Sequence, residues 1–313
     1  MSNNRRSFLK NTTLVTAASL LSKPINSLAQ ISKSAMTLEA SGSSVIIYHS
    51  NNLNGKINPL KQDIGGISRL GGLLDKQEMG GLILDAGGFL SETADKDHHY
   101  DVVTAMNNTG YHASTLSPKE LIHGQAHLAR LAKAMNFSLL NCNYTFRNTE
   151  LAAAVKPYQV ISFGKFKIGV TGVGPQIPGI DFQDPIQRLN KMADYLKNTL
   201  NCHLVICLSA LGYQQKEGTT DDRDLSAASA HVDMIIGSNE KHPMGSTMVL
   251  KNATGHDVFI GQASPSGLAM GRMTFELKAQ QKHTAHTQNL INSRAQSYAQ
   301  LHGTVTGGIE NLV

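Results

Sequence analysis

Tryptophan is absent and aromatic residues make up only 5% of the chain, so no interior here is built on aromatic stacking. With 41% hydrophobic residues, an aliphatic, layered core is expected instead. Cysteine is scarce: Cys142, Cys202 and Cys207 cannot all pair, and none sits in a Cys-x-x-Cys pattern. A Cys202–Cys207 bridge is not expected, because five extended residues span far more than a disulfide reaches. Buried free thiols are the ordinary reading of such positions. Long apolar runs are missing too. The stretch 14–21 is short and rich in Thr, Ser and Ala, and no later segment is long enough to span a membrane. Gly172-Val173-Gly174-Pro175 has neither the helix opening nor the lysine of a phosphate loop, and no Gly-x-Ser-x-Gly elbow occurs.

The N-terminus reads Asn4-Arg5-Arg6-Ser7-Phe8-Leu9-Lys10, then a weakly apolar run, then Ser27-Leu28-Ala29. That layout resembles a twin-arginine export signal over residues 1–29. A soluble periplasmic protein follows as the expectation, whether the signal is cleaved or retained. The chain has 28 basic and 23 acidic residues. Setting aside Arg5, Arg6, Lys10 and Lys23 of the leader leaves 24 against 23, so the sequence pI of about 9.0 is no argument for nucleic acid.

Residues 30–44 are polar and Ser-rich, a flexible lead-in. From 45 to 281, short apolar runs at 45–48, 81–85, 138–140, 204–208 and 232–236 predict buried strands. Helical periodicity covers 64–77, a stretch closing near Gly110, 121–135 and 186–200. A hairpin is expected over 159–173, and 248–277 is strand-rich. Residues 282–313 form a polar tail, with one docked helix expected over 290–301. Strand–helix alternation followed by strands predicts a layered α/β domain with a mixed sheet, whose chemistry gathers in loops beyond strand carboxyl ends.

Five such loops stand out: Ser50 to Gly55, Asp85 to Gly88, Ser117 to Glu120, Ser209 to Gly212 and Gly237 to Lys241. Their order and flanks resemble the metallophosphatase (calcineurin-like) domain of the bacterial 5′-nucleotidase family. Tyr48-His49-Ser50-Asn51-Asn52-Leu53-Asn54-Gly55 is similar to a strand leading into Asn-Asp-x-His-Gly, and Asp85-Ala86-Gly87-Gly88 to Asp-Ala-Gly-Asp. Gly65-Gly66-Ile67-Ser68-Arg69-Leu70 looks like the family's Gly-Gly-hydrophobic-Ala-Arg helix start. Residues 111–120 are similar to a segment ending Gly-Asn-His-Glu, with Pro118 and Lys119 in place of Asn-His. Ala210 stands for the His of Ser-His-Leu-Gly, and Asn239 and Lys241 for the histidines of Gly-Gly-His-x-His.

The resemblance implies a four-layer αββα sandwich of two mostly mixed β-sheets flanked by helices. It also implies two divalent metals about 3.5–4 Å apart, bridged by a carboxylate. The residues here do not supply the ligands. Asn52 and Asn54 offer neutral amides, Gly88 and Ala210 no donor, and Pro118 no polar side chain. Lys119 and Lys241 would repel a cation, by roughly 4 kcal/mol per unit charge at ~4 Å and an effective dielectric near 20. No cofactor and no catalytic residue is therefore expected, and the chain is taken as a pseudoenzyme. Its expected partners are an active paralogue, a nucleotide-binding half on a separate chain (the family's C-terminal domain does not fit before Val313), or a phosphate-bearing small molecule. Lys119 and Lys241 are the candidate anion-binding groups. The rival is a metal-dependent phosphoesterase with a relocated metal around Asp95-Lys96-Asp97-His98-His99, helped by His49 or His123.

Overall fold

The computed structural model describes residues 37–38, 44–60, 64–77, 81–93, 95–163, 166–216, 218–238, 247–277 and 284–291. The expected leader and most of the expected tail lie outside these residues. In chain order come β1 (Thr37–Leu38), β2 (Ser44–Ser50), α1 (Ile67–Asp75), β3 (Leu82–Asp85), α2 (Lys96–Thr109) and β4 (Ala113–Ser114). A 3₁₀ turn (Pro118–Leu121), α3 (Gln125–Ala134), β5 (Ser138–Leu140), β6 (Tyr144–Thr145), α4 (Thr149–Ala154) and β7 (Val155–Lys156) follow. Next are β8 (Tyr158–Phe163), β9 (Phe166–Val173), β10 (Asp181–Phe182), α5 (Pro185–Asp194) with a π turn (Tyr195–Thr199), and β11 (Leu204–Ser209). The last are α6 (Asp222–Ala228), β12 (Met234–Ile236), β13 (Met248–Lys251), β14 (Asp257–Gly261), β15 (Ala269–Glu276) and β16 (Thr284–Ile291).

Two seven-stranded mixed sheets result, ordered β16-β15-β2-β3-β4-β5-β7 and β1-β8-β9-β11-β12-β14-β13. The period-2 alternation of the strands builds three separate cores. Along β2, Ile46 and Tyr48 pack with Leu70, Val102, Val103 and Leu128 of the helices α1 to α3. Val45 and Ile47 of the same strand turn the other way, against Ile168, Val170, Leu204 and Ile206 of the second sheet. Along β11, Val205 and Cys207 face Leu189, Ala193 and Leu196 of α5 and its π turn. Helices, sheet, sheet, helices: the four layers expected from the family resemblance are present.

Cys142, Cys202 and Cys207 are free and buried, as expected. Among the described residues no helix is long and apolar enough to cross a membrane. Two boundaries differ from expectation. The first sheet continues past 281: β16 pairs antiparallel with the whole of β15, from Ala269 opposite Ile291 to Glu276 opposite Thr284. An edge strand is held by backbone ladder bonds and tolerates polar side chains, so Thr284-Ala285-His286-Thr287-Gln288-Asn289 gives little apolar signal. The helix expected over 290–301 therefore does not begin at Leu290, and its remainder lies outside the described residues. Within the expected lead-in, Thr37 and Leu38 pair parallel with Ser162 and Phe163.

Candidate functional site

The five loops follow β2, β3, β4, β11 and β12, and contacts between them make one continuous edge. Loop 50–55 lies along loop 85–90 through three backbone bonds: Asn52 N–H to Gly87 O, Asn54 N–H to Gly88 O and Gly55 N–H to Phe89 O, at 2.9, 2.9 and 2.8 Å. Asn51 Oδ1 accepts the Ala263 N–H at 2.7 Å, joining this group to the end of β14. There the Gln262 carboxamide and the Asp222 carboxyl crowd Gly237, which starts the fifth loop. Asp222 in turn accepts the Ser209 hydroxyl at 2.5 Å, at the start of the fourth.

Buried acids, all outside the expected ligand positions, hold these loops. Asp85, fully buried, accepts from Ser50 Oγ at 2.6 Å, Ser114 Oγ at 2.9 Å and the Gly87 N–H at 2.9 Å. Since Ser50 spends its proton on Asp85, the Tyr111 hydroxyl donates to Ser50 at 2.7 Å. Burial raises the Asp85 pKa to about 7 against the pull of these donors. Glu120 closes a capping box with Ser117 over Pro118 and Lys119. It also accepts the Gly88 and Leu90 N–H groups, each at 3.1 Å, tying the second loop to the third. Burial raises the pKa of Glu120, and pushes that of Asp222 well above the carboxylate range.

The sequence-predicted positions fall as follows. Asn52 and Asn54 have left-handed φ of 48° and 55°, which asparagine tolerates better than most residues. Lys119 reaches across from the third loop, its Nζ donating to Asn54 Oδ1 at 2.7 Å. Gly88 has φ 73°, and a Cβ there would collide with Asn52 Oδ1. Pro118 is exposed at the first position of the 3₁₀ turn, where its missing N–H costs nothing. Ala210 is buried with its N–H on Val173 O at 3.0 Å. Asn239 and Lys241 lie outside the described residues. The donors on view do not fit a pair of divalent cations. Gly88, Pro118 and Ala210 offer no ligand atom, a carboxylate at 88 meets both backbone strain and Asn52, and an ammonium occupies the Asn54 carboxamide.

Histidines divide differently from expectation. His49 does not join His98 and His99: it is buried on the face of β2 that Val45 and Ile47 turn to the second sheet, against Gly261 and Gly271. Burial lowers its pKa to about 4. His98 Nε2 donates to Gly55 O at 2.8 Å. His99 sits beside His123, and also beside His127, which sequence reasoning missed. Its signal was available, since His123 and His127 are four apart at the opening of a predicted helix.

No family model matches the chain. It is 26% identical over 201 residues to a 5′-nucleotidase of Vibrio cholerae, covering 55% of this chain and 36% of that protein. Among solved structures it resembles a 5′-nucleotidase precursor from Thermus thermophilus, with TM-score 0.71 and 22% identity over 79% of this chain and 54% of that one. It also resembles the calcineurin-like phosphoesterase YfkN from Bacillus subtilis, with TM-score 0.62 and 17% identity over 86% and 94%. The chain spans between about a third and a half of the length of the curated relatives it matches. Its sequence relatives and structural neighbours are thus 5′-nucleotidases and calcineurin-like phosphoesterases; the fold is theirs, and the likenesses support the metallophosphatase family.

Proposed function

We propose that this chain is an exported, periplasmic 5′-nucleotidase-like protein that has lost the dinuclear metal site and binds a phosphate-bearing ligand without cleaving it. The observation that carries this reading is the contact between Lys119 Nζ and Asn54 Oδ1 at 2.7 Å. Two positions where the family resemblance expects metal ligands are bonded to each other, and the positive charge at that place belongs to a side chain. An ammonium is a competent point-charge donor to phosphate, and it needs no second component. The buried Asp85 and Glu120 support the reading, because both oxygens of each are spent on holding a loop.

Thermal unfolding of the full chain tests it. Inorganic phosphate at about ten times its dissociation constant contributes about 1.4 kcal/mol, which raises Tm by about 3 °C for a protein of this size. Lys119→Ala, alone or with Lys241→Ala, is expected to abolish that shift while the fold persists. A shift unchanged in the variants would remove the ligand role. The non-catalytic role would then be that of a partner, to an active paralogue or to a separate nucleotide-binding chain, and co-purification would identify which.

A further inference from the structure

Asp222 differs from the other two buried acids of this edge. Asp85 and Glu120 each accept three hydrogen bonds, a setting that suits a charged carboxylate. Asp222 is as deeply buried, yet it accepts only the Ser209 hydroxyl, at Oδ1. Its Oδ2 lies so close to Gly237 that any Cβ there would collide with it, and it finds no donor among the described residues. The Gln262 carboxamide stands beside it, with Nε2 3.3 Å from the position of that Cβ. Gln262 is buried too, and both of its polar atoms are without a partner among the described residues.

We propose that Asp222 is held as a neutral carboxylic acid whose Oδ2 proton goes to the Gln262 carboxamide, a proton-dependent latch joining the fourth loop, the fifth loop and the end of β14. A carboxylate can only accept, whereas the acid form adds one donor. That one proton gives Asp222 Oδ2 and Gln262 a partner each, as buried polar groups require. The other contacts of Asp222 make the bond a latch. Its backbone N–H donates to Gly212 O at 2.9 Å, and Ser209 Oγ also accepts the Leu211 N–H at 3.3 Å, so the fourth loop is wrapped on this residue. On the far side the Gly237 N–H donates to Gly261 O at 2.9 Å, beside Gln262.

The charges around Asp222 favour the proton. On its own helix, Asp221 acts on it with like charge, and the Arg223 guanidinium is bonded to Asp221 instead. From β11 comes the Cys207 thiol, which burial keeps protonated. β12 and the start of the fifth loop, 234–238, carry no ionisable side chain, and β14 has none from Val258 to Gly261. Lys251 of β13 is paired with Asp257. His49 of β2 lies against Gly261, and burial lowers its pKa to about 4. Burial first, and then Asp221, push the Asp222 pKa well above the carboxylate range. Loss of the proton leaves a charge buried against Gly237 and Gln262, so this end of the edge loosens as pH rises.

Infrared spectra of the full chain at pH 7, wild type minus Asp222→Asn, test the latch. Asparagine keeps an oxygen for Ser209 and a donor for Gln262 but has no proton to lose. The difference is expected to show a protonated-carboxyl C=O band. Thermal unfolding gives a second reading. With the folded pKa above the unfolded one, the contribution of Asp222 is full below the ordinary carboxylate range and falls as pH rises. Relative to Asp222→Asn, the wild type is expected to lose about tenfold in folding equilibrium, about 3 °C in Tm, per pH unit from pH 5 to 8. Taking the difference cancels Asp85 and Glu120, which both proteins share. Should Asp222→Asn fail to fold, Gln262→Leu is expected to move the acid's band to higher frequency by removing its acceptor, and an unmoved band counts against the latch. Identical carboxyl bands in wild type and Asp222→Asn, or a Tm difference that stays level from pH 5 to 8, overturn the proposal. Lys119→Ala is expected to leave band and slope unchanged, so failure here and failure of the phosphate reading are separable.

Discussion

Replacing Glu120 by alanine is expected to lower the unfolding free energy by about 3–5 kcal/mol. The carboxyl is 1% exposed and accepts three backbone N–H groups, from Ser117 at 2.8 Å and from Gly88 and Leu90 at 3.1 Å. Alanine leaves all three donors buried without an acceptor, at about 1–3 kcal/mol each. Relief of the desolvated carboxyl, visible in its raised pKa, offsets part of that. Glutamine keeps one acceptor oxygen but brings an amide donor toward N–H groups, so an intermediate loss is expected. Chemical denaturation of both variants measures this, and a loss under about 1 kcal/mol for alanine would contradict the role given to Glu120.

Gly172→Ala is the second large effect, expected at about 3 kcal/mol or more, the upper part of the range for overpacking. Gly172 lies in β9 of the second sheet, packed closely against the first. A Cβ there would enter the Leu140 carbonyl oxygen of β5 and the Thr115 side chain. Its own carbonyl already accepts the Cys142 N–H at 2.8 Å, so the backbones of the two sheets are fixed against each other at this point. A flexible side chain could give way; a backbone carbonyl in a paired strand cannot without moving its sheet. Thermal and chemical unfolding check the value, and a near-neutral result would show that the sheets can part at this end.

Much of the fold was legible because its signals are local. Val45-Ile46-Ile47-Tyr48 and Leu204-Val205-Ile206-Cys207 are apolar throughout, as strands buried on both faces must be. Asp221 caps α6, and Asp222 and Asp224 follow in its first turn, where acidic side chains suit the helix dipole. β16 was illegible because an edge strand is specified by its neighbour's ladder and not by its own side chains. At the site, the ligand positions could be placed from sequence, but their present partners could not. The Lys119–Asn54 bond joins residues 65 positions apart. The work done by Glu120 depends on N–H groups 30 and 32 positions away, which no local pattern announces. The His99–His127 contact joins α2 to α3 in the same way.

The proposal's central claim is that the loops after β2, β3, β4 and β11 keep the shape of a metallophosphatase site without its two metals. Its most direct test is elemental analysis of the folded chain after manganese loading, paired with turnover of a nucleoside monophosphate and a simple phosphomonoester. The account predicts no turnover and no stoichiometric bound metal. Two equivalents of bound metal, with phosphate release abolished by a chelator, would contradict it.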